Sequence, residues 1–211
     1  MKVSCPACGA EVLFKSRASF FGVCTYCSST IVRHDKSIET FGKMSEIPQD
    51  MSPLQLGTTG IFEKSRFEIV GRQRIGWENG SWNEWYLYFD NGRDGWLADA
   101  QGQYMISFQE PETVKIPELA AISISKIMQI RGIDFSVNDI REVTCRGSQG
   151  ELPVKSLQGR RSVSVDLVGN DNRFGNIDYS DDPTEGNRLF IGKYTEFENL
   201  SLNNIKVIDG W

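Results

Sequence analysis

The chain has 211 residues, a formal net charge of −5 and a pI of about 5.1, enough for one small module and one substantial core. The charge is uneven: residues 1–36 carry Lys2, Lys15, Arg17, Arg33 and Lys36 against Glu11 and Asp35, a net +3 that leaves −8 for the remainder. An acidic body repels a polyanion, which argues against nucleic-acid binding by the whole chain and leaves only the N-terminal stretch able to touch a phosphate or an acidic partner surface.

The chain opens on two C-x-x-C pairs, Cys5 with Cys8 and Cys24 with Cys27, a spacing that matches a zinc ribbon. Each pair can bend into a knuckle whose two thiolates reach one ion. Two knuckles brought together close a tetrahedral structural zinc site with no open position. Two disulfides are the alternative, and they require an oxidising compartment. The stretch Met1–Ala10 has no apolar run of the secretory kind, and no segment approaches the length of a membrane span, so the expectation is a soluble, cytoplasmic chain with reduced, metal-holding thiols. A thioredoxin-like use of either pair fails because the flanks read as short strands, with no helix to lower a thiol pKa.

Strands are expected at 11–14, 20–23 and 30–33, with Ser16–Ser19 as a turn. The stretch 37–53 is polar, aperiodic and punctuated by Pro48 and Pro53, which reads as a linker or loose strap. His34, the single histidine, falls just before it and reads as a solvated residue.

From Leu54 to the end the texture is that of an antiparallel β domain, barrel-like or sandwich-like. Strands are expected at 58–62, 67–77, 82–89, 96–98 and 104–108, then at 161–168, 173–179 and 188–194. Asn79-Gly80 and Asn91-Gly92 predict hairpins of type I′, and Gln101-Gly102 a further turn. Setting residues 56–75 beside 124–143 aligns Leu56 with Ile124, Phe62 with Ile130, Phe67 with Phe135, Ile69 with Val137 and Ile75 with Val143 at constant offset. Two accounts fit: an internal two-fold repeat, or the chance agreement that alternation generates between any two β segments. Residues 117–128 suit either a helix opening on Pro117 or a strand from about Ser123, and the β-branched Ile122, Ile124 and Ile127 favour the strand.

Along 82–89, alternation puts Trp82, Glu84, Tyr86 and Tyr88 on one face and Trp85, Leu87 and Phe89 on the other. Three rings and one carboxylate on a shared face supply the parts for holding an ammonium group. The competing account packs this face under a second sheet, with Glu84 paired to Arg72 or Arg74 across the neighbouring turn.

Several stretches also resemble a known family: Leu56-Gly57, the run Phe67-Glu68-Ile69-Val70-Gly71-Arg72, Trp82-x-Glu84-Trp85-Tyr86-Leu87, Gly95-Trp96-Leu97 and Gly150-Glu151-Leu152-Pro153. Together they resemble the bacterial domain of unknown function numbered four-one-seven-eight, over roughly 54–208, whose members often carry an N-terminal zinc ribbon. The family's late Tyr-x-Gly-like region is altered here to Phe190-Ile191-Gly192-Lys193-Tyr194. The resemblance implies no activity. It implies a genomic setting beside relatives of polyamine-synthesis enzymes and membrane-stress proteins, which is association rather than mechanism.

Catalytic constellations are sparse. Cys145 is the one cysteine outside the N-terminal pairs and has no histidine near it in sequence to activate it, so it reads as an inert thiol. Residues 146–150 lack the spacing of a nucleophile elbow and the lysine of a phosphate loop, and read as a turn. Asp178, Asp181 and Asp182 precede Pro183 as ordinary turn chemistry. The preferred function is therefore a non-catalytic binding or scaffolding protein with protein partners and, as a second candidate, a small cationic ligand. The alternative is an enzyme or enzyme subunit acting on a small cationic or peptide substrate, with Glu84, Asp178 or Asp181 as acid or base. Nucleic-acid contact through the ribbon comes third.

Overall fold

A computed structural model describes residues 1–34, 37–48, 50–182 and 184–207. The expected ribbon boundary at Lys36, Pro183 and the end of the β domain from Ile208 lie outside the described residues. A little over half of the described chain is strand, all of it paired antiparallel. Two short 3-10 turns, Leu119–Ala121 and Phe197–Leu200, are its only helical elements.

Five strands make the N-terminal part: β1 (Lys2–Ser4), β2 (Glu11–Leu13), β3 (Phe21–Val23), β4 (Ser29–Arg33) and β5 (Ile38–Lys43). The first two pair with each other, and β3, β4 and β5 form a second ladder. The polar stretch after His34 thus holds a strand, β5, whose side chains are mostly exposed; cross-strand bonding to β4 builds it where hydrophobic pattern is absent.

Ten strands follow: β6 (Thr59–Phe62), β7 (Ser65–Trp77), β8 (Gly80–Phe89), β9 (Asp94–Ala100), β10 (Gln103–Gln109), β11 (Ile127–Ile130), β12 (Ile133–Leu152), β13 (Arg161–Gly169), β14 (Arg173–Ser180) and β15 (Arg188–Thr195). Eight of them close a ring in the order β7-β8-β9-β10-β15-β14-β13-β12 and back to β7. Closure is uneven because one long strand serves two neighbours: β12 pairs β13 through Phe135–Thr144 and β7 through Thr144–Gly150, with a bulge between Cys145 and Gly147. Residues 146–150, expected as a turn, are therefore strand, and the bulge is what bends it. The last residues of β12, Glu151 and Leu152, pair with Gly22 and Phe21 of β3, so the cysteine-bearing part and the ring share one sheet. Gly71 permits that junction, since a Cβ there would lie 1.9 Å from the Glu151 carbonyl oxygen.

The turns differ from expectation in type. At Asn79-Gly80 the hairpin forms, but Trp77 pairs directly with Gly80, and neither Asn79 nor Gly80 has positive φ. The glycine is needed for space, because a Cβ would sit 2.6 Å from the Trp77 ring. Pairs of left-handed residues, as a type I′ hairpin requires, fall instead at Gln101 and Gly102 (φ 52 and 81), Glu63 and Lys64 (47 and 70), Arg131 and Gly132 (50 and 77), and Asp171 and Asn172 (56 and 58).

The two halves repeat element for element. The pairing Thr59 with Glu68 and Phe62 with Ser65 recurs as Ile127 with Ser136 and Ile130 with Ile133, an offset of 68 residues. Ile69 exchanges backbone bonds with Gly57 and Thr58, and Val137 does the same with Ser125 and Lys126 at that offset. Bulges after Ile69 and after Val137 match as well. Because β10 pairs antiparallel with β15, and β7 with β12, the pseudo-two-fold axis runs across the ring and exchanges its ends. Chance alternation does not reproduce irregularities, so the internal repeat is structural.

Outward-facing apolar residues pack under flanking segments. Trp85, Leu87, Leu97 and Ile106 lie beneath Leu54 and Leu200, while Val165, Leu167, Ile177 and Leu189 lie beneath Val114, Ile116, Leu119 and Ile122. Strand in this last region begins at Ile127, later than expected, after a 3-10 turn.

Candidate functional site

Two constellations stand out. The first is the cysteine cluster, where Cys5, Cys8, Cys24 and Cys27 place their Sγ atoms within 4.8 Å of one another. The loops repeat each other: Gly9 donates to the Cys5 carbonyl and Ser28 to the Cys24 carbonyl, and both donors are left-handed, at φ 77 and 58. Cys5 to Cys27 measures 3.8 Å and Cys8 to Cys24 3.7 Å. Four sulfurs at about 2.3 Å from a central ion form a tetrahedron with edges of about 3.8 Å. The spacing therefore fits a four-thiolate metal site. The Ala10 amide lowers the Cys8 thiol, but the neighbouring thiols and burial outweigh it and push it up to about 12. The Ser29 hydroxyl and amide hold Cys27 down to about 6. Thiols this close cannot all ionise without a cation among them.

The second constellation is the lumen of the ring, a cavity of about 320 Å³ lined by alternate side chains from all eight ring strands. Trp82 and Glu84 of β8 face it. Glu84 is half-buried in the lumen wall and accepts hydrogen bonds from Trp82 Nε1 at 2.9 Å and from Gln73 Nε2, its cross-strand neighbour, at 2.5 Å. Burial pushes its carboxyl up, the two donors offset this in part, and Asp178 and Asp166 push it further. The arginine partners expected for Glu84 are elsewhere: Arg72 and Arg74 both bind Asp50.

Tyr86 and Tyr88 share the face of Trp82 and Glu84 but not the cavity. The Tyr86 hydroxyl lies 3.0 Å from Ser16 Oγ, its ring is 5.2 Å from Trp96, and both tyrosines pack with Phe21, Val23 and Val32 of the cysteine-bearing part. That part thus seals one end of the lumen, since Trp96, Val154 and Phe190 line the cavity on one side and belong to this cluster on the other. Docking is reinforced by the buried Glu151 carboxylate, which accepts from the Lys15 amide at 2.8 Å and the Ser16 amide at 3.3 Å.

One lumen carboxylate, Asp166, escaped the sequence reading because it comes from a distant strand, whereas Asp178 was among the expected candidates. Asp166 of β13 accepts from Asn176 Nδ2 at 2.9 Å, and burial pushes its carboxyl up. Asp178 lies 3.1 Å from Arg160 and 3.7 Å from Arg188, so it is a structural ion-pair member. Asp182 accepts from the Thr184 amide and hydroxyl in a turn. His34 lies 3.6 Å from Glu39 with its side chain half exposed.

Cys145 is buried among the Gly147 carbonyl, Ser148 Oγ and the Ser156 carbonyl, at 3.7 to 3.8 Å, and burial pushes its thiol up. A thiol so placed is a poor nucleophile. Cys145→Ser is expected to retain the fold and any lumen affinity, measured by thermal melting and calorimetry. A folded variant that loses a measured activity outright would restore the enzyme reading.

Fold and site together define a barrel-like, unevenly closed ring of eight antiparallel strands around a partly polar lumen, with a four-cysteine module packed against it. Residues 55–197, more than half of the chain, match the family described as Domain of unknown function (DUF4178). The chain belongs to that family. No curated protein and no solved structure matches it. Among the described residues, no helix is long and apolar enough to cross a membrane.

Proposed function

We propose that this is a non-catalytic binding protein whose lumen holds a small organic cation, with an ammonium group paired to Glu84 beside the Trp82 ring. The observation that carries the reading is Glu84 itself: a half-buried carboxyl, screened from bulk solvent by the ring, whose hydrogen-bond donors are all neutral and which faces the cavity. A buried carboxylate without a cation is costly, and a cationic guest removes that cost. The cavity volume falls at the lower end of the range of about 300–1,000 Å³ usual for small-molecule sites. Aromatic walls add cation–π attraction.

In this reading Cys5, Cys8, Cys24 and Cys27 hold one structural zinc, and residues 1–36 form the ribbon that caps the barrel of residues 54–211. The pairing of β3 with β12 supports a fixed cap rather than a tethered module. The enzyme alternative gains no support, since Cys145 is sealed in and Asp178 is tied to arginines.

Calorimetry with hexylamine is expected to show binding that weakens with salt. Glu84→Gln should lose about 1 to 3 kcal/mol of that affinity while still melting cooperatively. A folded Glu84→Gln protein that binds hexylamine as well as the parent would refute the assignment.

A further inference from the structure

Four carboxylates line the lumen: Glu84, Asp139, Asp166 and Asp178. Two of them are neutralised. Asp178 shares Arg160 and Arg188 with Glu185, and Asp139 is bound to Arg141, whose guanidinium lies 4.7 Å from the Trp77 ring centre. Every arginine that lines the cavity is used in these pairs. Glu84 and Asp166 remain, and both hydrogen-bond only to neutral groups, Trp82 and Gln73 for the first and Asn176 for the second.

The two come from opposite halves of the repeat, Glu84 on β8 and Asp166 on β13, and reach one cavity only because the ring closes. Each has an aromatic wall beside it. Trp82 donates to Glu84, while Phe174 and Tyr194, with ring centres 5.5 Å apart, line the cavity on the side of Asp166. Glu84, Asp166, Phe174 and Tyr194 all line the same cavity, and the Asp166 carboxyl also feels the charges of Asp139 and Arg141.

We infer that the lumen is a site for an organic dication, with one ammonium group on Glu84 and a second on Asp166. The inference rests on the reading of the lumen as a cation site and deepens it by naming the ligand class. A hard divalent metal suits the site poorly, because such ions want six or more oxygens, whereas here N–H donors occupy the carboxylates and rings form the walls. An α,ω-diamine supplies two charges and an apolar spacer to match.

The test compares hexylamine with 1,6-diaminohexane by calorimetry on the full chain. The diamine is expected to bind at least tenfold more tightly. Asp166→Asn, which keeps an acceptor for Asn176, should bring the diamine down to the monoamine's affinity and leave the monoamine unchanged, whereas Glu84→Gln should weaken both. Equal binding of the two amines by the parent protein, or an unchanged ratio in Asp166→Asn, overturns the dication and leaves the single-cation reading standing. Failure of both amines to bind overturns that reading as well. Should Asp166→Asn not fold, a series of diamine lengths on the parent protein decides. Two fixed anchors require one optimal spacing, and affinity that rises steadily with chain length overturns the inference.

Discussion

Under the proposed zinc assignment, removing the metal from the four-cysteine cluster, by chelation or by Cys24→Ser, is expected to unfold the cysteine module while the ring of strands keeps a cooperative melt. Structural zinc contributes roughly 10–16 kcal/mol of apparent binding free energy near neutral pH. Against that, the local core is small: Cys5, Cys24 and Ile31, with Ala10, Val12, Cys27 and Ile38 against them. The β1–β2 hairpin has three residues a side, too few to stand alone. The ring is closed by its own backbone ladders between β7 and β12 and between β10 and β15, so it has a separate source of stability. The damage should still reach one wall of the lumen, where Phe21, Val23 and Val32 pack on Tyr86, Trp96 and Leu152.

Hydrogen exchange should therefore show lost protection across β1–β5 and the end of β12, with β8, β9, β13 and β14 retained. Elemental analysis of natively purified protein should find one zinc per chain. Protein that purifies folded without metal, or with these cysteines paired as disulfides under alkylation, would contradict the assignment.

Asp50→Ala is expected to be the most damaging single change away from the cysteines. One carboxylate oxygen of Asp50 accepts from Arg72, Arg74 and Asn83, and Lys206 lies 3.9 Å from the other. The Arg72 side chain is only 5% exposed and its guanidinium lies 4.7 Å from the Trp85 ring centre. Removing the anion leaves a buried guanidinium with only the Asp99 charge nearby and no carboxylate hydrogen-bonded to it, which costs about 3–5 kcal/mol, or about 6–20 °C in melting temperature for a chain of this size. Urea unfolding at neutral pH measures it directly, and a loss under about 1 kcal/mol would mean water reaches the cluster freely.

The same cluster sets a pH dependence. Burial alone would raise the Asp50 carboxyl, but Asn83, Arg72, Arg74 and Lys206 outweigh it and hold it below its ordinary value. A depressed carboxyl contributes stability that is present above its unfolded pKa, about 3.9, and lost as pH falls toward the folded value. Glu84, Asp166 and Glu151 are raised instead, so their contribution has the opposite sign. It declines as pH climbs from the ordinary carboxyl range through their folded values. Asp50→Ala should therefore flatten the acid limb of the stability curve.

Much of this was legible in short stretches of sequence. Two C-x-x-C pairs bring their sulfurs together through turns of a few residues, so spacing alone marks the site. The strands from Thr59 to Gln109 follow from alternation, and the offset that aligns Phe67 with Phe135 is the one at which the backbone bonds and bulges recur. Residues 146–150 were misleading for a definite reason: glycines at 147 and 150 read as turn chemistry, whereas here they serve a bulge and a close strand crossing, with Gly150 at φ 69.

The face shared by Trp82, Glu84, Tyr86 and Tyr88 marks the boundary between local pattern and long-range assembly. Period two is a property of the strand alone, so these four residues point the same way in any sheet. Which of them meet a cavity depends on what lies opposite, and that is contributed from far along the chain. Phe21 and Ser16 cover Tyr86, while β13 and β14 bring Asp166 and Asp178 toward Glu84. Both faces of β8 are rich in apolar and aromatic side chains, so hydrophobicity could not tell lumen from exterior. Closure of the ring through β12 and β7 makes that choice, because curvature turns one face inward and leaves the other to be covered by the segments around Leu54 and Leu200.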